Sequence, residues 1–287
     1  MSNHSLSRVV LVTNGNVHAV RVLEGLKNRG LYVEAIVYER SLRLSDYIGR
    51  TDRATERIRA LLRAFGRWGI SPSKRVKAKR LYSQYCSNVI PVGGINSTET
   101  REELLRLKPS WILLGGIGIL KPLILDTATI GVLNSHVGLL PWARGTGVVG
   151  RSLERGYPVG VTCHYVNAGV DTGPIIERRL LRVTGKERSL KELETANDLL
   201  AAEVMIDVIA RFLAQNQIPQ GIPQHQRFPP CKWLSLSERR TADRRIRDGL
   251  ALQLLGRWQR AGLTDGALTL QAGVADCGEE SDRSIPN

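Results

Sequence analysis

Apolar positions along the chain fall into short runs separated by longer amphipathic stretches. The run RVVLVTNGN from Arg8 ends in Asn-Gly and reads as a buried strand with its turn. Residues 17–28 place Val20, Leu23 and Leu26 at helical spacing, with Gly30 as the stop. LYVEAIVY from Leu31 is a second strand and NVIPV from Asn88 a third. A helical stretch over 97–107 leads into SWILLGG from Ser110, another buried strand, and Pro122 suits the first turn of a short helix. GVLNSH from Gly131 is a strand with a polar end, followed by a helix over 147–155. VGVTCHYV from Val159 and the following GPIIERRLLRV read as an antiparallel pair, and 189–216 as a long helix.

Strands alternating with helices predict an α/β fold, a mainly parallel doubly wound sheet covered on both faces. Ligands of such sheets bind beyond the carboxyl ends of the strands. After residue 216 the pattern degrades into Gln-, Pro- and Arg-rich text, a helical piece over 237–261 and a polar tail. The expected organisation is one domain over 1–216, with a basic helical insertion over 40–80, and an appendage over 217–287 that is disordered in part.

Composition narrows the class. Of 287 residues, 42% are hydrophobic and 24% charged, which are globular values. No apolar run approaches the ~20 residues of a membrane helix, so no membrane partner is expected. The polar start lacks the apolar stretch of a signal peptide. Four scattered cysteines with no CxxC pair predict neither a metal site nor a disulfide framework, and fit a reducing cytoplasm. The net charge of +14 is concentrated: residues 40–80 hold 13 lysines and arginines against three acids. Within them Ala54, Ile58, Leu61, Leu62, Phe65 and Trp68 recur at helical spacing between arginines. This segment is either an insertion helix with a solvated basic face or a surface that attracts an anionic ligand.

The text from Gly131 to Ile176 carries the chemistry. Asn134 and His136 stand at a strand end, and Asp171 in a Gly-flanked loop. A histidine with a carboxylate nearby can serve as general base or charge stabiliser, and an amide can donate to an oxyanion. The cysteines stand apart from these residues, and Ser135 should point to the opposite face, so direct attack by a substrate nucleophile fits better than a covalent enzyme intermediate. The alternative is a histidine and an asparagine satisfying backbone groups at a strand end.

Two stretches resemble a known family. NSHVGLLPWARG is similar to the N-x-H-x-x-L-L-P-x-x-x-G signature of the formyltetrahydrofolate-dependent formyltransferases, and VGVTCHYVNAGVDTGPII to their second signature, including the aspartate. The family includes glycinamide ribonucleotide, methionyl-tRNA and sugar N-formyltransferases. The resemblance spans residues 8–216 and is most specific over 110–176. It implies 10-formyltetrahydrofolate as donor and an amine as acceptor. It casts Asn134 as holding the oxyanion, His136 as taking the amine proton or stabilising the oxyanion, and Asp171 as keeping His136 charged and orienting a water. By the same resemblance the pteridine lies between Ile117, Gly118, Ile119 and Leu120 on one side and Asn167, Ala168 and Val170 on the other.

The acceptor is less legible. Asn14, Arg144 and Thr146 are candidates to touch it; Arg144 could equally pin its loop. His164 reads as a satisfied structural histidine. The first turn, TNGNVHA, departs from the Gly- and Ser-rich phosphate loop of glycinamide ribonucleotide formyltransferases. The roughly 70 residues after 216 fall short of the C-terminal barrel expected of methionyl-tRNA formyltransferases, and the start lacks the regulatory domain of formyltetrahydrofolate hydrolases. An anionic small amine such as an amino-sugar nucleotide is the expectation, with an RNA-binding module, a methionyl-tRNA formyltransferase-like protein and a hydrolase-like enzyme as alternatives. A homodimer is the expected assembly, if any.

Overall fold

The computed structural model describes residues 8–39, 79–225 and 228–260. The amphipathic basic helix expected within 40–80, carried by Ala54 to Trp68, lies outside the described residues. Seven strands form one sheet in the order β3-β2-β1-β4-β5-β6-β7: β1 (Val9–Thr13), β2 (Ala35–Glu39), β3 (Val89–Val92), β4 (Trp111–Gly115), β5 (Gly131–His136), β6 (Gly160–Tyr165) and β7 (Ile175–Leu180). The pairs among β1 to β5 are parallel; β6 and β7 join antiparallel. The expected mainly parallel sheet and its antiparallel final pair are both present.

The helices are α1 (Val17–Asn28), α2 (Thr98–Leu107), α3 (Pro122–Leu125), α4 (Val148–Glu154), α5 (Leu190–Gln215), α6 (Leu236–Arg247) and α7 (Leu250–Arg260). Their ends follow local chemistry. Asn16 caps α1 by accepting from the His18 amide at 3.1 Å, and Ser189 caps α5. On one face of the sheet α1 and α5 bury Val22, Leu23, Leu26, Ala201, Val204 and Met205 against Leu11, Leu113, Leu133 and Cys163. On the other, Leu104, Leu107, Leu120 and Ile124 cover Val10, Val12, Ile112 and Val132. Each valine, leucine, isoleucine or methionine among them contributes about 1.5–3 kcal/mol by leaving water.

Beyond residue 216 the described residues pack against the rest of the chain. Asn216 closes α5 in the left-handed conformation, and Ile222 then pairs antiparallel with Ile175. Cys231 pairs with Gly145, and a capping box at Ser235 starts α6. The single helical piece expected over 237–261 is two helices, broken at Gly249 with φ 87°. Together α6 and α7 bury Ala242, Ile246, Ala251 and Leu254 against Val149, Leu153, Leu190 and Leu193. Trp258 packs, tilted, into a cluster with Trp142 and Tyr157, its indole donating to Gly156 O at 3.0 Å. No helix among the described residues is long and apolar enough to cross a membrane.

Candidate active site

Strand alternation sets the site's composition. Along β5, Val132, Asn134 and His136 share one face, and Leu133 and Ser135 the other. The antiparallel register with β6 places Asn134 opposite His164 and His136 opposite Thr162. Four polar side chains therefore meet on one face of a two-stranded ribbon.

The loop after β5 folds back on His136. Its Nε2 lies 2.7 Å from Ala143 O, so Nε2 carries the hydrogen and donates. A side chain at Gly138 would sit 2.4 Å from Ala143 O and 2.8 Å from that imidazole nitrogen, so the fold-back requires glycine there. Thr162 fixes the same loop, donating to Gly138 O at 2.8 Å and accepting from the Leu140 amide at 3.0 Å.

The other nitrogen, His136 Nδ1, lies 3.6 Å from Asp171 Oδ2, and Asp171 Oδ1 lies 3.8 Å from His164 Nε2. His164 donates from Nδ1 to Tyr165 O at 2.7 Å, which leaves Nε2 as the acceptor for Asn134 Nδ2 at 3.3 Å. Burial pushes the His164 pKa down to about 4, and the Asp171 carboxylate offsets part of that shift. Asn134, His164, Asp171 and His136 thus form one chain of contacts. His164 is satisfied, as the sequence reading expects, and is also linked to Asn134 and Asp171, which that reading does not connect to it. The missing signal is the β5–β6 register, which the sequence does not state.

Asp171 itself has φ 49°, and its Oδ2 accepts from the Gly145 amide at 2.9 Å. A side chain at Gly145 (φ 88°) would come within 2.7 Å of Cys231 O. Asn167 Oδ1 braces the loop before Asp171, accepting from the Gly169 amide at 3.1 Å and from Thr172 Oγ1 at 2.6 Å.

Several candidate contacts fall elsewhere. Arg144 is buried, with Nε and Nη2 donating to Val170 O at 2.9 and 2.7 Å and Nη1 to Phe228 O at 2.7 Å. It pins loops, which corrects its assignment to the acceptor. Leu120 is 2% exposed within the core beside Ile124 and Val132, so it does not line an open slot. Ile119 is 55% exposed and Gly118 exposed, while Ile117 packs on the same core cluster as Val166. Asn96 holds that segment, donating to Ile119 O at 2.9 Å and accepting from the Lys121 amide at 2.8 Å. Asn167 and Ala168 are exposed and Val170 half-buried. Asn14 is half-buried in the turn after β1. Thr146 is exposed and binds Cys231 O through both its amide (3.1 Å) and its hydroxyl (3.4 Å). No group of three or more histidine, cysteine or acidic residues among the described residues could hold a metal ion.

The constellation brings one amide, two imidazoles and a carboxylate together at the end of β5 on a doubly wound sheet. Residues 74–209, just under half of the chain, match the formyl transferase family model. A methionyl-tRNA formyltransferase of Pseudomonas savastanoi is 32% identical over 111 residues, 38% of this chain and 35% of that enzyme. The chain thus spans about a third of the length of this curated relative. Among solved structures, a sugar N-formyltransferase from Shewanella has a TM-score of 0.53 at 13% identity, covering 84% of this chain and 88% of that one. Glycinamide ribonucleotide transformylase 1 from Symbiobacterium toebii has a TM-score of 0.52 at 19% identity, covering 77% and 94%. These likenesses establish the fold.

Proposed function

We propose that the protein transfers a formyl group from 10-formyltetrahydrofolate to the amine of a small anionic acceptor, an amino-sugar nucleotide. The observation that carries this reading is the continuous chain Asn134–His164–Asp171–His136 at one strand end. Asn134 has two amide hydrogens. One points at His164; the other is available for the formyl oxygen as it gains charge under attack by the amine. His136 takes the amine proton at Nδ1, where the Asp171 carboxylate stabilises the imidazolium. It then returns the proton to the donor nitrogen as the bond from that nitrogen to the formyl carbon breaks. Exposed Ile119 and half-buried Val170 are apolar surface suited to the pteridine, with backbone groups of 117–119 and 167–170 to read its edge. The net charge of +14 favours capture of an anionic acceptor.

The broad likeness to sugar N-formyltransferases supports an amino sugar. The methionyl-tRNA formyltransferase match over 38% of the chain supports a second acceptor, methionyl-tRNA. An incubation of the protein and 10-formyltetrahydrofolate with a panel of nucleotide amino sugars, with methionyl-tRNA and with no amine, read by mass detection, decides. A formylated sugar supports the proposal, and formylated methionyl-tRNA replaces its acceptor. Tetrahydrofolate and formate released without amine would indicate a hydrolase. Absence of both turnover and folate binding overturns the reading.

A further inference from the structure

Asp171 reaches both histidines from a left-handed backbone conformation, which costs a non-glycine residue energy although aspartate visits it more readily than most. The direction of its carboxylate is set by φ and ψ, and each torsion is bounded by a peptide plane. In the 170–171 plane, Val170 O accepts two hydrogen bonds from Arg144. In the 171–172 plane, Asp171 O accepts from Gln224 Nε2 at 3.1 Å, and the same nitrogen donates to Gly173 O at 2.7 Å. Both planes that define the residue are therefore clamped by side chains from elsewhere in the chain. The Gln224 side-chain oxygen is buried with no partner among the described residues, so the amide's orientation is dictated by those two carbonyls. Arg144 is anchored in turn to Phe228 O. Gln224 and Phe228 lie beyond the family match, which ends at residue 209, in the segment between α5 and α6.

We infer that Arg144 and Gln224 are positioning residues acting through Asp171, and that the segment joining α5 to α6 is a working part of the site. The kinetic consequence rests on the formyl-transfer reading; the geometric one does not. Without either clamp the turn relaxes toward ordinary φ, and Oδ2 swings away from the Gly145 amide and from His136. The Gly145 amide thus reports the aim of the carboxylate with no ligand present.

Two variants of the full chain test this. Gln224→Met keeps length and removes both donors. Arg144→Lys keeps charge and removes the paired bonds to Val170 O. Amide hydrogen exchange by NMR on the free protein should show Gly145 exchanging at least ~10-fold faster in each variant, with β1 and β4 amides unchanged. With 10-formyltetrahydrofolate and a nucleotide amino sugar, Gln224→Met should lower kcat about 10-fold, yet add nothing in an Asp171→Asn background, where no carboxylate is left to aim. Losses that multiply in the double variant overturn the inference, as does wild-type exchange at Gly145 in the variants that fold. A wild-type protein that fails to formylate defeats the formyl-transfer reading, while the exchange result still decides the positioning role.

Discussion

The two faces of the β5–β6 ribbon are built from alternate residues of the same strands, and they differ in partners rather than in depth. His136 and His164 are 6% and 1% exposed; Leu133 and Cys163, across the ribbon, are both 0%. On the first face every imidazole nitrogen lies within 4 Å of a carbonyl, carboxylate or amide. On the second, Leu133, Val161 and Cys163 pack against α5. Buried polar groups are tolerated when they are partnered, and buried apolar ones when they are packed. Polar contacts and apolar packing are therefore written in alternate letters of one stretch of sequence, and can be disturbed separately.

The largest expected effects fall on the polar face. His136→Ala or Asp171→Asn should lower formyl transfer at least ~100-fold while moving Tm by only a few degrees. Turnover assays and thermal melts on the same preparations check this; near wild-type turnover would remove the chemistry from this face. Leu133→Ala should do the reverse. It should cost about 2–5 kcal/mol in urea unfolding through the cavity it leaves, with turnover per folded molecule within about twofold.

Much of this was legible in the text because it rests on local chemistry. The alternation GVLNSH placed Asn134 and His136 together and Ser135 opposite, and the Ser189 cap and the left-handed Asn216 bound a helix over the expected stretch. What escaped depends on contacts distant in sequence. His164 joins the site through the β5–β6 register. Arg144 is an anchor because a carbonyl 84 residues away receives one of its donors. Leu120 faces the core because helical cover on that side of the sheet closes over it. The stretch between residue 216 and α6 lacks periodicity because it is held by isolated bridges and side chain–backbone bonds rather than by a regular ladder.

Acid sharpens the comparison. Burial pushes His164 and His18 each to about 4, below the ordinary 6.5; for His18 the Arg21 charge adds to the effect. With folded pKa values below unfolded ones, the unfolded chain binds protons first as pH falls. The stability these neutral histidines confer is whole above about 6.5 and is lost between 6.5 and about 4. Each contributes a slope of up to about 1.4 kcal/mol per pH unit in that window. His18→Gln should flatten the slope by about one proton and leave turnover unchanged, because His18 lies on α1. His164→Gln should flatten it and slow turnover, because His164 orients Asn134. Denaturant unfolding across pH 4–7 separates the two.

The smallest effect is the finest test of the alternation. Ser135 sits between Asn134 and His136 in sequence but on the apolar face, where its Oγ is buried without a partner among the described residues. A hydroxyl stripped of water and given nothing in return is a liability, so Ser135→Ala should leave stability unchanged or raise it by up to about 1 kcal/mol. Turnover should stay at the wild-type level although both sequence neighbours belong to the site. A substantial loss of turnover in Ser135→Ala would mean that the hydroxyl reaches the reacting groups. The division of the ribbon into a chemical face and a packing face would then be wrong at its most exposed point of contact.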